Sequence, residues 1–253
     1  MSGWDFVLLV VAGVGGGLTG SIAGLASLCT YPALLAVGLP PVTANMANTV
    51  ALLFGGISAT ASSRPELAGQ GPRLRRWCAL GLLGGVVGAV LLLLTPAQGF
   101  ERLVPFLIAS ASLTILIPRR RPVGDEALAA RPRRTTVLVS VGVFAVAVYG
   151  GYFGAAAGVL MLAMLLFIDG DTLPRANAAK NAILLCANGI AAVWFMVAGD
   201  VQWSAVLPLA IGAMTGSWIG PKVVRRVPAK PLRAVIGVLG MLLAVRLGVQ
   251  AFG

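Results

Sequence analysis

Apolar residues in this chain run in long stretches: Trp4 to Leu39, Val42 to Ser63, Leu74 to Leu94, Leu103 to Ile117, Thr135 to Ile168, Leu173 to Ala198, Trp203 to Ile219 and Leu232 to Gly253. A helix rising ~1.5 Å per residue crosses a hydrocarbon core of ~30 Å in ~20 residues. Six of the eight segments therefore predict one helical crossing each. The first and fifth, at 36 and 34 residues, would be roughly 50 Å long as single helices. Both carry glycines near their middle: Gly13, Gly15, Gly16, Gly17, Gly20 and Gly24 in one, Gly150, Gly151, Gly154 and Gly158 in the other. The pattern predicts that these two are broken or hairpin-like. Irregular backbone at membrane depth must be shielded by protein or line a wet cavity, because lipid cannot hydrogen-bond the freed amides and carbonyls.

Composition excludes the soluble alternative. Of 253 residues 58% are hydrophobic and 11% charged, with a mean hydropathy of +0.93, whereas a soluble domain carries roughly a quarter of its residues charged. The expected class is an all-α, polytopic membrane protein whose main partner is the lipid bilayer. The 19 Lys and Arg against 8 Asp and Glu, without histidine, give +11. Basic excess in membrane loops sets orientation, so no nucleic-acid partner is expected. Cys29, Cys78 and Cys186 are odd in number and form no CxxC, so neither a disulfide framework nor a metal site is expected, and no cofactor is implied. They read as small apolar core residues. No basic region precedes the first apolar run, and no cleaved signal peptide is expected.

Fifteen of the 19 basic residues fall in three loops, 64–76, 118–134 and 222–233, which are expected to be cytoplasmic. The loops near Leu39 to Pro41, Pro96 to Gly99 and Gly199 to Trp203 have no basic residue and are expected outside. This assignment makes the fifth segment start and end inside, as a hairpin would. The halves also resemble each other. Ala44 to Thr49 lies over Ala176 to Asn181 at an offset of 132, and Gly16, Gly20 and Gly24 lie over Gly150, Gly154 and Gly158 at an offset of 134. Residues 1–117 and 135–253 are therefore expected to be two membrane repeats joined by a basic linker, 118–134. The loop after the second element is basic in the first half and bare in the second, and the next loop reverses this, so the repeats are expected to be inverted. Inverted repeats with broken helices meeting near the midplane are a transporter architecture.

Candidate chemistry lies on the sixth segment. Asn177, Lys180, Asn181 and Asn188 share an arc of roughly 100° on one helix face, and the equivalent first-half helix carries Asn45, Asn48, Thr49 and Thr60. Lys180 is the only charge in the stripe, ~9 Å by rise from the helix start near Pro174. Ionisable side chains at lipid depth mark functional sites by default. One lysine, several amides and helix N-termini exposed at the glycine breaks, with no opposing carboxylate, would suit a small anionic substrate. The alternative is that Lys180 snorkels to the headgroups and the asparagines glue helices together. Arg175 beside Asp169 and Asp171 reads as an interfacial charge. Gly81/Gly85, Gly84/Gly88 and Gly212/Gly216/Gly220 read as helix-packing devices, and Trp4, Trp77, Trp194, Trp203 and Trp218 as interfacial anchors.

These residues together resemble the TauE/SafE family, the sulfite exporters and toluene-sulfonate uptake permeases of bacterial membranes. The resemblance rests on Gly16, Gly20 and Gly24 followed by Tyr31-Pro32-Ala33-Leu34-Leu35 and Gly38-Leu39-Pro40-Pro41 with Ala44. In the second half it rests on Gly150-Gly151, Gly154 and Gly158, then Arg175-Ala176, Lys180, Asn188 and the turn Gly199-Asp200-Val201 before Trp203. It covers essentially the whole chain. Where the family pattern has a tighter glycine cluster before the proline, this chain reads Gly24-Leu25-Ala26-Ser27. The resemblance implies a multi-pass protein of the bacterial inner membrane that moves sulfite or a small organosulfonate such as sulfoacetate, in most described cases outward. The eight acids all sit at segment ends or in loops, which is poor material for a proton relay. An inside-negative potential instead drives an anion outward by ~2.3 kcal/mol per charge per 100 mV. Rival readings are a carrier for another small anion or metabolite, uptake in place of export, and a scaffold that transports nothing. An intramembrane enzyme would want His, Asp, Glu or a metal at depth, so none is expected. A homo-oligomer is compatible with the composition and not specified by it.

Overall fold

The computed structural model of the chain describes residues 2–116, 133–167, 172–224 and 229–252, all helices and short connections. In chain order the helices are α1 (Gly3–Ala23), α2 (Ala26–Ala36), α3 (Pro41–Ser62), α4 (Arg64–Leu67), α5 (Gly71–Leu94), α6 (Ala97–Leu116), α7 (Arg133–Tyr152), α8 (Ala157–Phe167), α9 (Leu173–Ala198), α10 (Trp203–Val224) and α11 (Ala229–Phe252). Among the described residues, α1, α3, α5 and α9 are each long and apolar enough to cross a membrane, and α2, α8 and parts of α7 and α11 form shorter apolar helices. Most of the linker expected at 118–134, and residues 225–228 of the 222–233 loop, lie outside the described residues.

Both overlong segments break where their glycines predict, and both are hairpins. In the first, Ala26 packs on Gly20 and Thr30 on Gly16; in the second, Ala157 packs on Gly150 and Met164 on Gly142. The return helices therefore run back along the helices that precede them. At the first break Gly24 ends α1 with φ +75°, its N–H donating to the Gly20 carbonyl at 2.8 Å. At the second, Gly154 holds φ +77°. Only glycine adopts this region without steric cost. The two left-handed glycines are 130 positions apart, so the turns do not follow the offset of 134 that pairs Gly24 with Gly158.

The remaining boundaries follow local rules. Ser2 and Asp5 form a reciprocal capping box at the start of α1. Pro41, Pro72 and Pro174 stand in the first turns of α3, α5 and α9, where the missing N–H has no intrahelical partner to lose. α6 begins six residues before the expected Leu103 and α11 three before Leu232, because the apolar runs mark what is buried in lipid and not where the backbone starts to coil. The short α4, inside the basic loop 64–76, has no counterpart in the apolar pattern.

Small residues set the interhelical distances. α1 packs on α10, α7 on α5, α3 on α10, α9 on α5, α3 on α9 and α6 on α11. Gly212 and Gly216 sit against backbone atoms of Val10, Val14 and Leu18, while Gly84 and Gly88 sit against those of Phe144, Val148 and Tyr152. Gly81 and Gly85 meet Ile183 and Ala187, and Gly220 meets Ser21. A methyl group at these contacts would collide, which is why small residues are needed where helices touch through their backbones. Leu82, Leu83, Leu91, Leu94, Val197 and Leu242 point outward and are exposed. Trp4, Trp194, Trp203 and Trp218 are exposed as an anchoring role requires, but Trp77 is buried, with the Arg73 guanidinium 4.7 Å over its ring. It is a packing and cation–π partner. The three cysteines are half-buried and unbridged.

Candidate functional site

The two hairpin turns meet in the interior. A side chain on Gly24 would strike the backbone of Gly158, and a Cβ on Gly154 would stand 3.8 Å from Ser27 Oγ. Each left-handed glycine thus rests on the first turn of the other hairpin's return helix. Beside this crossing is a cavity of about 90 Å³. Its wall includes Gly16, Gly20 and Gly24 of the first hairpin, Gly154 and Gly158 of the second, the opening residues Ala26, Ser27 and Ala157 of α2 and α8, and Lys180, Asn181 and Asn188 of α9. The starts of two 11-residue helices therefore converge on one space; the Leu28, Ala157 and Val159 amides there already donate to the Leu25, Gly154 and Ala156 carbonyls, so what the helix ends present is the positive pole of their dipoles. Among the described residues the cavity is lined by no carboxylate, so none of them opposes the partial positive charge of both helix ends there.

Lys180 is the charged member of the wall and is 1% exposed. Its Nζ donates to the Gly20 carbonyl at 3.0 Å, the same oxygen that receives the Gly24 N–H. A cation on the C-terminal carbonyls of a helix is favourable, so Lys180 completes the end of α1 while standing at the cavity. This contact, and not a reach toward the headgroups, fixes its direction. Asn177 does similar work one turn earlier, its Nδ2 donating to the Ser21 carbonyl at 2.9 Å. In the other half Asn45 Nδ2 donates to the Tyr152 carbonyl, the last of α7, at 2.8 Å.

Asn181 and Asn188 are bound differently. Asn181 is 7% exposed and its Nδ2 has no hydrogen-bond partner, nor has Asn188 Oδ1. Leaving a buried amide group unpaired costs ~1–3 kcal/mol, so two of them on one wall point to a polar occupant. Rotating the Asn188 amide by 180° would present its two N–H donors in place of the oxygen.

The structure thus brings Lys180, Asn181, Asn188 and five of the six break glycines to one cavity. Gly150 lies behind it, 3.4 Å from Asn188 Oδ1 by its would-be Cβ. Asn45, Asn48, Thr49 and Asn177 are not on the wall. Thr49 Oγ1 donates back to the Asn45 carbonyl at 3.0 Å, and Asn48 donates to Ser27 Oγ at 3.0 Å. Ser27, Ser21 and Ser217 line the cavity without having been singled out by the polar stripe. Ser27 was legible only as the residue that replaces a glycine immediately after the break. Of the acids, Asp5, Glu66, Glu101 and Asp200 lie at helix ends or in connections, while Asp169 and Asp171, expected beside Arg175, fall outside the described residues.

Known proteins resemble this chain along nearly its whole length. The family model described as "Sulfite exporter TauE/SafE" matches residues 9–247. A "Probable membrane transporter protein" of Haemophilus influenzae is 26% identical over 230 residues, covering 90% of this chain and 88% of that protein. "Probable membrane transporter protein ORF9" of Sinorhizobium sp is 28% identical over 244 residues, 94% and 90% of the two chains. "Probable membrane transporter protein YfcA" of Escherichia coli K12 is 27% identical over 243 residues, 94% and 87%. With the family match running through both hairpins and the helices that pack on them, this chain belongs to the TauE/SafE family of membrane transporters.

Proposed function

We propose that the chain exports a small oxyanion, sulfite or a compact organosulfonate, through the cavity at the hairpin crossing. The observation that carries this reading is the convergence of the α2 and α8 N-terminal turns with Lys180 and the unpaired Asn181 amide on a space that, among the described residues, is lined by no carboxylate. All of these favour negative charge. At about 90 Å³ the space is well below the ~300–1,000 Å³ of drug-sized pockets, which favours a compact inorganic anion or a short sulfonate over a larger metabolite.

Transport by exchange of two arrangements has support in the packing. Swapping the halves (α1 with α7, α2 with α8, α3 with α9, α5 with α10, α6 with α11) maps the main helix contacts onto each other: α1–α10 onto α7–α5, and α3–α10 onto α9–α5. It also maps hydrogen bonds. Asn177 to the Ser21 carbonyl becomes Asn45 to the Tyr152 carbonyl at offsets of 132 and 131. These correspondences favour two repeats, 1–117 and 135–253, inverted as the loop charges require, with loops 64–76, 118–134 and 222–233 on the cytoplasmic side. The membrane potential then supplies the outward drive at ~2.3 kcal/mol per charge per 100 mV. The test is flux of labelled sulfite from proteoliposomes under imposed potentials. Export is expected to rise as the potential drives anions outward and to collapse in Lys180→Gln. Flux indifferent to both would overturn the reading.

A further inference from the structure

Ser27 stands in the first turn of α2, on the cavity wall, and is 7% exposed. Its oxygen is already occupied as an acceptor by Asn48 Nδ2 at 3.0 Å. Asn48, 1% exposed, in turn accepts on Oδ1 from the Thr30 hydroxyl, which also lies 3.0 Å from the Ala26 carbonyl. The chain of donors thus runs Thr30 to Asn48 to Ser27. An amide that donates to a hydroxyl oxygen leaves that hydroxyl to give its own hydrogen elsewhere, and for Ser27 the open direction is the cavity. Each bond in such a chain polarises the next, so the outgoing O–H is a stronger donor than an isolated serine. Ser27 belongs to the first hairpin, whereas Lys180 and Asn181 belong to α9. The cavity therefore has hydrogen-bond donors from two separate elements.

We infer that Ser27 determines specificity in this cavity by donating to a third oxygen of the bound anion, so that the site prefers pyramidal or tetrahedral three-oxygen heads to planar two-oxygen ones. This rests on the anion-site reading above and goes beyond it. Lys180 and Asn181 can serve two oxygens from one side, which a planar anion offers equally well. Only a head with three oxygens has one left for a donor on the α2 side.

The experiment is calorimetric titration of the purified full chain with sulfite and, separately, with nitrite, in wild type, Lys180→Gln, Ser27→Ala, Ser27→Cys and Thr30→Val. Wild type is expected to bind sulfite more tightly than nitrite. Ser27→Ala is expected to weaken sulfite about tenfold or more, the effect of losing one hydrogen bond to a charged group, and to leave nitrite unchanged, so that discrimination is lost. Ser27→Cys, of similar size with a weak donor, is expected to lower the sulfite-to-nitrite ratio in the same direction, which keeps the test available if the alanine variant does not fold. Thr30→Val retains the serine and is expected to reduce the ratio by less. Serine variants that bind both anions as wild type does, or lose both equally, would overturn the role of Ser27 while leaving the anion site standing, provided Lys180→Gln weakens both. Absence of anion binding in wild type, or binding indifferent to Lys180→Gln, would instead overturn the anion site itself and this inference with it.

Discussion

At the scale of single residues, Lys180 shows how one contact can join structure and chemistry. Its ammonium closes the end of α1 through the Gly20 carbonyl and at the same time charges the cavity wall. Alanine there would confound the two roles by leaving a helix end without its partner. Glutamine keeps an N–H donor of similar shape and removes the charge, so Lys180→Gln is expected to lower sulfite affinity tenfold or more while lowering the thermal midpoint in detergent less than alanine does. Asn181 has no structural bond to lose through its Nδ2. Asn181→Leu is accordingly expected to weaken binding about tenfold and to raise the unfolding temperature, because it removes an unpaired buried donor. A lowered midpoint in Asn181→Leu would indicate that the amide serves the fold and not a ligand. Lys180, Asn181 and Asn188, grouped in the sequence by helical periodicity, which alone decides which residues of α9 share a face, line one cavity wall. Periodicity could not separate them from Asn177, since that residue shares the arc but meets the end of α1 before it can reach the cavity.

At the scale of elements, the two hairpins depend on their turn glycines. Gly24 combines a left-handed backbone with contact against Gly158, whereas Gly154 is left-handed with its nearest neighbour the Gly150 carbonyl at 3.1 Å. Forcing an alanine into the left-handed region costs ~1–2 kcal/mol. Gly154→Ala is expected to show about that loss, and Gly24→Ala a larger one, because the methyl must also displace the second hairpin. Gly15→Ala, which meets nothing within 4 Å, is expected to be neutral. Thermal unfolding of the three variants in detergent checks the order, and a Gly24→Ala loss no greater than that of Gly154→Ala would show that the hairpin crossing tolerates separation. The hairpins themselves were legible in the sequence from length and glycine content. Their exact correspondence was not: matching glycine spacing pairs Gly24 with Gly158, but the left-handed residues of the second turn are Gly154 and Ala156, because glycine serves close packing in one place and a left-handed turn in another, and spacing does not distinguish these uses.

At the scale of the whole molecule, the proposed inversion makes a prediction that needs no substrate. A cysteine at Gly71, where a side chain meets nothing within 4 Å, lies in the basic loop 64–76 and is expected on the cytoplasmic side. One at Gln202, in the bare connection between α9 and α10, is expected outside. A membrane-impermeant maleimide applied to intact cells is expected to label Gln202→Cys at once and Gly71→Cys only after lysis, with the half-buried native cysteines unreactive to it. The opposite labelling would invert the topology, and with it the sign of the drive that the membrane potential gives to an anion.

Sequence by itself determined the solvent, the helical class, the two broken segments, the family resemblance and the group of polar residues on α9. Each of these follows from local quantities: run length against bilayer thickness, glycine against helix continuity, and periodicity against one helix face. Tertiary structure alone decided which of those polar residues are consumed in capping the ends of the hairpin helices, that both return helices start at one cavity, and that Ser27 joins its wall. Those facts depend on which turn of one half rests against which helix of the other, across more than a hundred residues of chain, where no local rule reaches.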